Sequence, residues 1–180
     1  LWLGFHGCMC HSKMQRIVSR MLMAVLGLLL ASCGSAGVEA AASFDYYRFG
    51  NIESPTPDRV RPGLMLLGGG DWPYDAFHWF FERAGHGHIV VLRASYADEN
   101  QLEMFEKIGG VTSVETLVFH DRKASFDPGV LAVIARADGI WIAGGDQSNY
   151  VNDWKGTPVE AAINRHVASG KPLGGTSAGQ

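Results

Sequence analysis

Cysteine disappears from this chain after position 33. The three cysteines of the 180-residue sequence are Cys8, Cys10 and Cys33, so nothing downstream can form a disulfide, act as a thiol nucleophile or supply thiolate to a metal. Cys8 and Cys10 stand next to His11, but their spacing is wrong for zinc, and no metal site is expected. Charge is scarce as well: charged residues make up 18% and the formal net charge is −3. No run of like charge appears, and a clustered basic surface to meet phosphates is missing, which argues against a nucleic-acid partner. The longest apolar run, Met21 to Leu30, is too short to cross a bilayer as a helix, which takes about 20 residues. The glycine series Gly68, Gly70, Pro73 lacks the third glycine of a dinucleotide fingerprint. It also lacks the lysine of a phosphate loop, so no cofactor is expected.

What is present is apolar material, 47% of the residues, enough for one ordinary core. The chain divides unevenly. Residues 1–13 precede Met14 and read as over-extended translation. Residues 14–33 have the three-part form of a secretory signal: Arg16 and Arg20, the apolar run, then small residues. Leu30-Ala31-Ser32-Cys33 resembles a bacterial lipobox, which implies lipidation at Cys33, a membrane partner through that anchor, and an extracytoplasmic lipoprotein. Residues 34–62 read as a tether and irregular lead-in, with Pro55, Pro57 and Pro62 as breakers. Residues 63–180 read as the folded body.

In that body two periods alternate. Gly63 to Asp71 is a short apolar run closed by glycines and predicts a strand buried on both faces. Phe77, Phe80, Phe81 and Ala84 mark a helical face. A second strand is expected from His88, a helix over Asp98 to Ile108, a third strand over Ser113 to Phe119, and a short helix over Pro128 to Arg136. Gly139 to Gln147 is a fourth strand with its glycine exit, Val159 to Val167 a helix ending at Gly170, and Lys171 to Gly175 a fifth strand. Strands separated by helices predict an α/β domain, a three-layer sandwich around a mostly parallel sheet.

Such sheets bind ligands outside the carboxyl ends of their strands. Three of the expected exits are rich in glycine: Gly68 to Asp71, Gly144 to Gln147, and Gly174 to Gly179. The last matches G-x-S-x-G as Gly175, Thr176, Ser177, Ala178 and Gly179. That pattern suits a sharp strand-to-helix turn that lifts a serine hydroxyl clear of the sheet. In it, the N–H of Ala178 points where a carbonyl oxygen would gain charge. Gly69 or Gly70 is a candidate for the second oxyanion donor, against a merely structural turn. Arg93 and Asp71, at strand exits, are candidates to grip a substrate carboxylate and a guanidinium, and each could equally pair with a surface neighbour.

Together "GGTSAG", the upstream "GGDQ" and the strand-ending "GGG" resemble the S51 serine peptidases, the group of cyanophycinase and aspartyl dipeptidase. The resemblance covers about Gly63 to Gln180. It implies a flavodoxin-like, class I glutamine amidotransferase-like fold, Ser177 as nucleophile, and Asp146 and Gln147 as substrate contacts. It further implies a peptide substrate, and Asp146 where aspartyl dipeptidases tend to carry asparagine tilts the reading toward cyanophycinase and release of β-aspartyl-arginine.

In that family the catalytic histidine and its acidic partner follow the nucleophile, whereas this sequence stops at Gln180. The reading is therefore a C-terminally truncated domain, inactive as it stands, whose exposed sheet edge favours association into a homodimer. Among the histidines that precede Ser177, His78 and His166 are expected to be packing residues and His86-Gly87-His88 a surface turn. His120, at a strand exit, is the sole internal candidate for the base. Two other readings stay open: a non-catalytic binding module that kept the sandwich, and a lipase-like α/β-hydrolase, which leaves Gly144 to Gln147 without a role.

Overall fold

The computed structural model describes residues 42–94 and 102–179. The leader, Cys33 and the lipobox lie outside the described residues, as do Ser95 to Gln101. Six strands form one sheet: β1 (Phe44–Gly50), β2 (Leu64–Leu67), β3 (His88–Arg93), β4 (Ser113–Phe119), β5 (Gly139–Ile142) and β6 (Leu173–Thr176). Their order across the sheet is β1-β4-β3-β5-β6-β2, and every pairing is parallel except that of β1 with β4. No described helix is long and apolar enough to cross a membrane.

Two apolar layers cover the sheet. One is built on α1 (Tyr74–Arg83) and a π-helical turn over Glu103–Ile108, with Phe77, Phe80, Phe81, Met104 and Trp141 buried together. The other is built on α2 (Pro128–Arg136), α3 (Gln147–Trp154) and α4 (Pro158–Ala168), packed over Leu92, Leu117, Phe119 and Ile140. Central strands β3 and β4 are buried at every position; β3 accordingly reads as an apolar run from Ile89 to Leu92, whereas β4 also buries Ser113, Glu115 and Thr116. The result is the three-layer α/β arrangement expected from the alternation of periods, consistent with the flavodoxin-like fold that the family resemblance implied.

Four local expectations are corrected. The lead-in is not irregular throughout: residues 44–50 form β1, in register with β4 from Phe44↔Phe119 to Gly50↔Ser113. As an edge strand with Tyr46 and Tyr47 exposed, β1 carries no clean alternation to betray it. β2 is not buried on both faces, because it forms the opposite edge. Met65 is buried, whereas Leu64 and Leu66 are 63% and 57% exposed. His78 is exposed on α1 and packs against nothing in the core. Finally, His86-Gly87-His88 is more than a surface turn, since His88 is buried, its Nδ1 2.7 Å from Ser113 Oγ and its Nε2 2.8 Å from the Ser54 carbonyl.

Buried charge is confined and partnered. Glu115, fully buried on β4, receives hydrogen bonds from Arg136 of α2 and from the Tyr46 hydroxyl of β1. At the amino-terminal edge of the sheet, buried Asp138 accepts from the His88 backbone N–H at 3.0 Å and pairs with Lys171 Nζ at 3.3 Å.

His166, buried on α4, is the packing residue expected of it and contacts the Pro172 carbonyl through Nε2 at 2.9 Å. Burial pushes its pKa below the ordinary 6.5 against the opposing contact with the Pro172 carbonyl, while Lys171 adds a smaller lowering and Asp138 opposes it least. The unfolded imidazole therefore binds a proton more readily than the folded one. Stability from this group is complete above about pH 6.5 and drains away as the pH falls below that value. Urea midpoints measured from pH 7.5 down to 5 should fall, and His166→Gln should flatten that decline.

Candidate active site

Strands β5, β6 and β2 are neighbours and parallel, so their carboxyl ends finish at one edge of the sheet. The registers Ile142↔Gly175 and Leu67↔Thr176 align those ends. The helical turn over Glu103–Ile108 that follows β3 packs on one face and α3, which follows β5, on the other. The chain thus leaves the adjacent strands β3 and β5 in opposite directions, and such a switch opens a crevice at their carboxyl ends.

At the end of β6 the backbone turns sharply. Ser177 is exposed, has φ +52 and opens a single 3-10 turn over Ser177–Gly179. A non-glycine residue in that region is strained, and surrounding structure must hold it there. The reason for the glycines is close approach. A Cβ at Gly175 would lie 2.0 Å from the Gly179 carbonyl oxygen, and one at Gly179 would lie 2.3 Å from that of Ile142 and 2.5 Å from that of Ala143. The turn therefore folds back against its own start and against the end of β5.

Two further loops meet this turn. A Cβ at Gly144 would sit 3.2 Å from Ser177 Cβ, so the β5 exit runs directly beside the serine. On the other side Thr176 Oγ1 donates to the Gly68 carbonyl at 2.9 Å, tying the β2 exit to the same turn. Gly68, Gly69 and Gly70 face open space, with no atom within 4 Å of a Cβ placed on them. Next to the β2 exit Trp72 packs on Phe77 at 4.6 Å, and Phe77 meets Trp141 of β5 at 4.8 Å. The structure thus brings together Ser177, the backbone of Ala178, and the glycine loops at 68–70 and 144–145.

Asp146 and Gln147 sit at the start of α3, and both are exposed. Asp146 caps that helix, accepting from the Ser148 N–H at 2.8 Å and the Ser148 hydroxyl at 2.7 Å. These two hydrogen bonds, the hydroxyl's first, hold its carboxyl below the ordinary 3.8. Of the two strand-exit residues, Arg93 is buried and Asp71 exposed.

No described histidine is placed to serve Ser177. His120 pairs with Asp45 at 3.0 Å, at the end of β4. That strand is three places from β6, about 14 Å at about 4.8 Å per strand. His86, His88 and His166 hydrogen-bond at the amino-terminal edge of the sheet, and His78 is on the outer surface of α1. Among the described residues no group of three His, Cys, Asp or Glu side chains could hold a metal.

Sequence reading missed α3 and the tyrosine it carries. The Tyr150 hydroxyl donates to the Ala143 carbonyl at 2.6 Å and lies 3.0 Å from that of Gly144. One signal was available: Asp146, just after the glycine exit, is a favoured residue type for a helix N-cap.

Comparison with known proteins accords with this arrangement. The sequence profile of peptidase family S51 matches residues 91–180, half of the chain. Cyanophycinases of Trichormus variabilis and of a Nostoc species are each 27% identical over 143 residues, covering 72% of this chain and 47% of theirs. The chain thus spans about half the length of the curated relatives it matches. A crystal structure of a peptidase from an acI-B1 Actinobacterium superposes with TM-score 0.52 at 21% identity, over 68% of this chain and 57% of that one, and shows likeness of fold. With the family profile extending from β3 through the Ser177 turn, the chain belongs to peptidase family S51.

Proposed function

We propose that this protein is a serine peptidase acting on aspartyl peptides in the manner of cyanophycinase, with Ser177 as nucleophile. The carrying observation is the exposed Ser177 at φ +52, held by glycines that admit no side chain between the turn and β5. In this reading Ser177 Oγ attacks the scissile carbonyl carbon, its proton passes to a base that returns it to the departing amine, and water then hydrolyses the acyl-enzyme ester to free the acid and Ser177. The N–H groups of Ala178 and of Gly69 or Gly70 receive the oxyanion. Asp146 and Gln147, at the mouth of the β5 loop, contact the substrate. The likeness to cyanophycinases supports a peptide of aspartate carrying arginine as substrate. The lipobox supports a lipid anchor at Cys33 and an extracytoplasmic location.

Protein expressed from the complete reading frame should form a covalent adduct with a fluorophosphonate, and peptide mass mapping should place it on Ser177. Ser177→Ala should give none. Equal labelling of the two proteins, or an adduct elsewhere, would remove Ser177 from the mechanism.

A further inference from the structure

The Ser177 turn leans on the β5 exit, and the β5 exit is itself held from behind by one side chain. Tyr150 projects from the first turns of α3, is 8% exposed, and spends its hydroxyl on the carbonyls of two successive residues, Ala143 and Gly144. Those residues form the strip of backbone against which the turn packs. The Ala143 carbonyl lies 2.5 Å from where a Cβ would stand on Gly179, and Gly144 is the residue facing Ser177 Cβ. Backbone carbonyls, a glycine and the Ser177 Cβ line this contact, so the position of the strip bears directly on the serine.

We propose that Tyr150 is a positioning residue for Ser177, acting through the Ala143 and Gly144 carbonyls and touching neither the nucleophile nor substrate. This rests on the reading of Ser177 as nucleophile for its functional consequence, but not for its structural one. The ring has an independent anchor: it packs edge-on against Trp154 at 4.7 Å. The adjacent Asn149 ties the same helix to β3 through the Ala94 carbonyl at 3.0 Å. Thus α3 is fixed to the sheet on one side, and Tyr150 transmits that fixed position to the loop beside Ser177. A hydroxyl shared between two carbonyls resists their independent rotation, which is what a strained turn requires of its support.

The test removes the hydroxyl and keeps the ring. In protein from the complete reading frame, Tyr150→Phe should speed amide hydrogen exchange at Gly144, Gly145, Ser177 and Ala178 by about fivefold to tenfold, leaving amides of β3 and β4 unchanged. Second-order labelling of Ser177 by a fluorophosphonate should slow about tenfold. Ser169→Ala is the control, since the Ser169 hydroxyl also donates to a carbonyl, that of His166 at 2.7 Å, at the carboxyl end of α4 and away from α3. It should leave exchange and labelling at the turn as they are.

Unchanged exchange at Ser177 and Ala178 in Tyr150→Phe would overturn the proposal, as would an equal change in Ser169→Ala. If exchange responds as expected while the unsubstituted protein takes no label, the bracing stands and the nucleophile assignment falls.

Discussion

Arg136→Met should destabilise the protein by about 3–5 kcal/mol, because it leaves a fully buried carboxylate without its counter-ion. Glu115 lies on β4 with no exposed surface, and two of its hydrogen bonds come from the Arg136 guanidinium. The remaining donor is the Tyr46 hydroxyl. Burial raises the pKa of that phenol, and the adjacent Glu115 carboxylate raises it further. One neutral donor cannot offset the desolvation of a charge. The reverse change should cost less: Glu115→Gln leaves behind a guanidinium whose side chain is 33% exposed and can turn toward water. Replacing both residues with apolar ones of similar volume should recover most of the loss. Urea denaturation of the three variants checks the order. An Arg136→Met protein no weaker than Glu115→Gln would contradict this account.

Gly175→Ala should cost about 3 kcal/mol, at the upper end for overpacking, and should reduce labelling of Ser177 to background. The added methyl carbon would lie 2.0 Å from the Gly179 carbonyl oxygen and 2.7 Å from its carbon. Both are backbone atoms of the turn itself. No rotamer relieves that collision, so either the turn opens or β6 shifts against β5. Gly68→Ala is the matched control, because the same methyl there meets nothing within 4 Å. Its effect should stay within about 0.5 kcal/mol. Thermal melts and labelling of both variants distinguish a steric requirement at 175 from a general intolerance of glycine loops.

The body of the fold was legible where burial is two-sided or periodic. β3 announced itself by its apolar run Ile89 to Leu92, β4 by its apolar end Leu117 to Phe119, and α1 by its phenylalanines at helical spacing. The edges were not, for a shared reason. A strand with one neighbour buries half its residues, so β1 looked like loop and β2 looked more buried than it is. α3 was hidden because its buried face amounts to two aromatics, Tyr150 and Trp154, too few to establish a period. For the candidate site, the meeting of three glycine exits followed from parallel topology alone. The bonds that fix the exits to one another did not, since Thr176 to Gly68 and Tyr150 to Gly144 are side-chain contacts to carbonyls that carry no sequence pattern. His88 was misread for the opposite reason. A histidine beside glycine resembles a turn until its partners Ser54 and Ser113, distant in sequence, are seen around it.

Because no thiol lies between Cys33 and Gln180 and a side chain at Gly69 would meet no neighbour, a cysteine placed there, with Cys8, Cys10 and Cys33 replaced by serine, becomes the one thiol of residues 1–180. A maleimide dye on it would stand at the rim beside Ser177, turning the emptiest stretch of backbone into a fluorescent gauge of whatever enters.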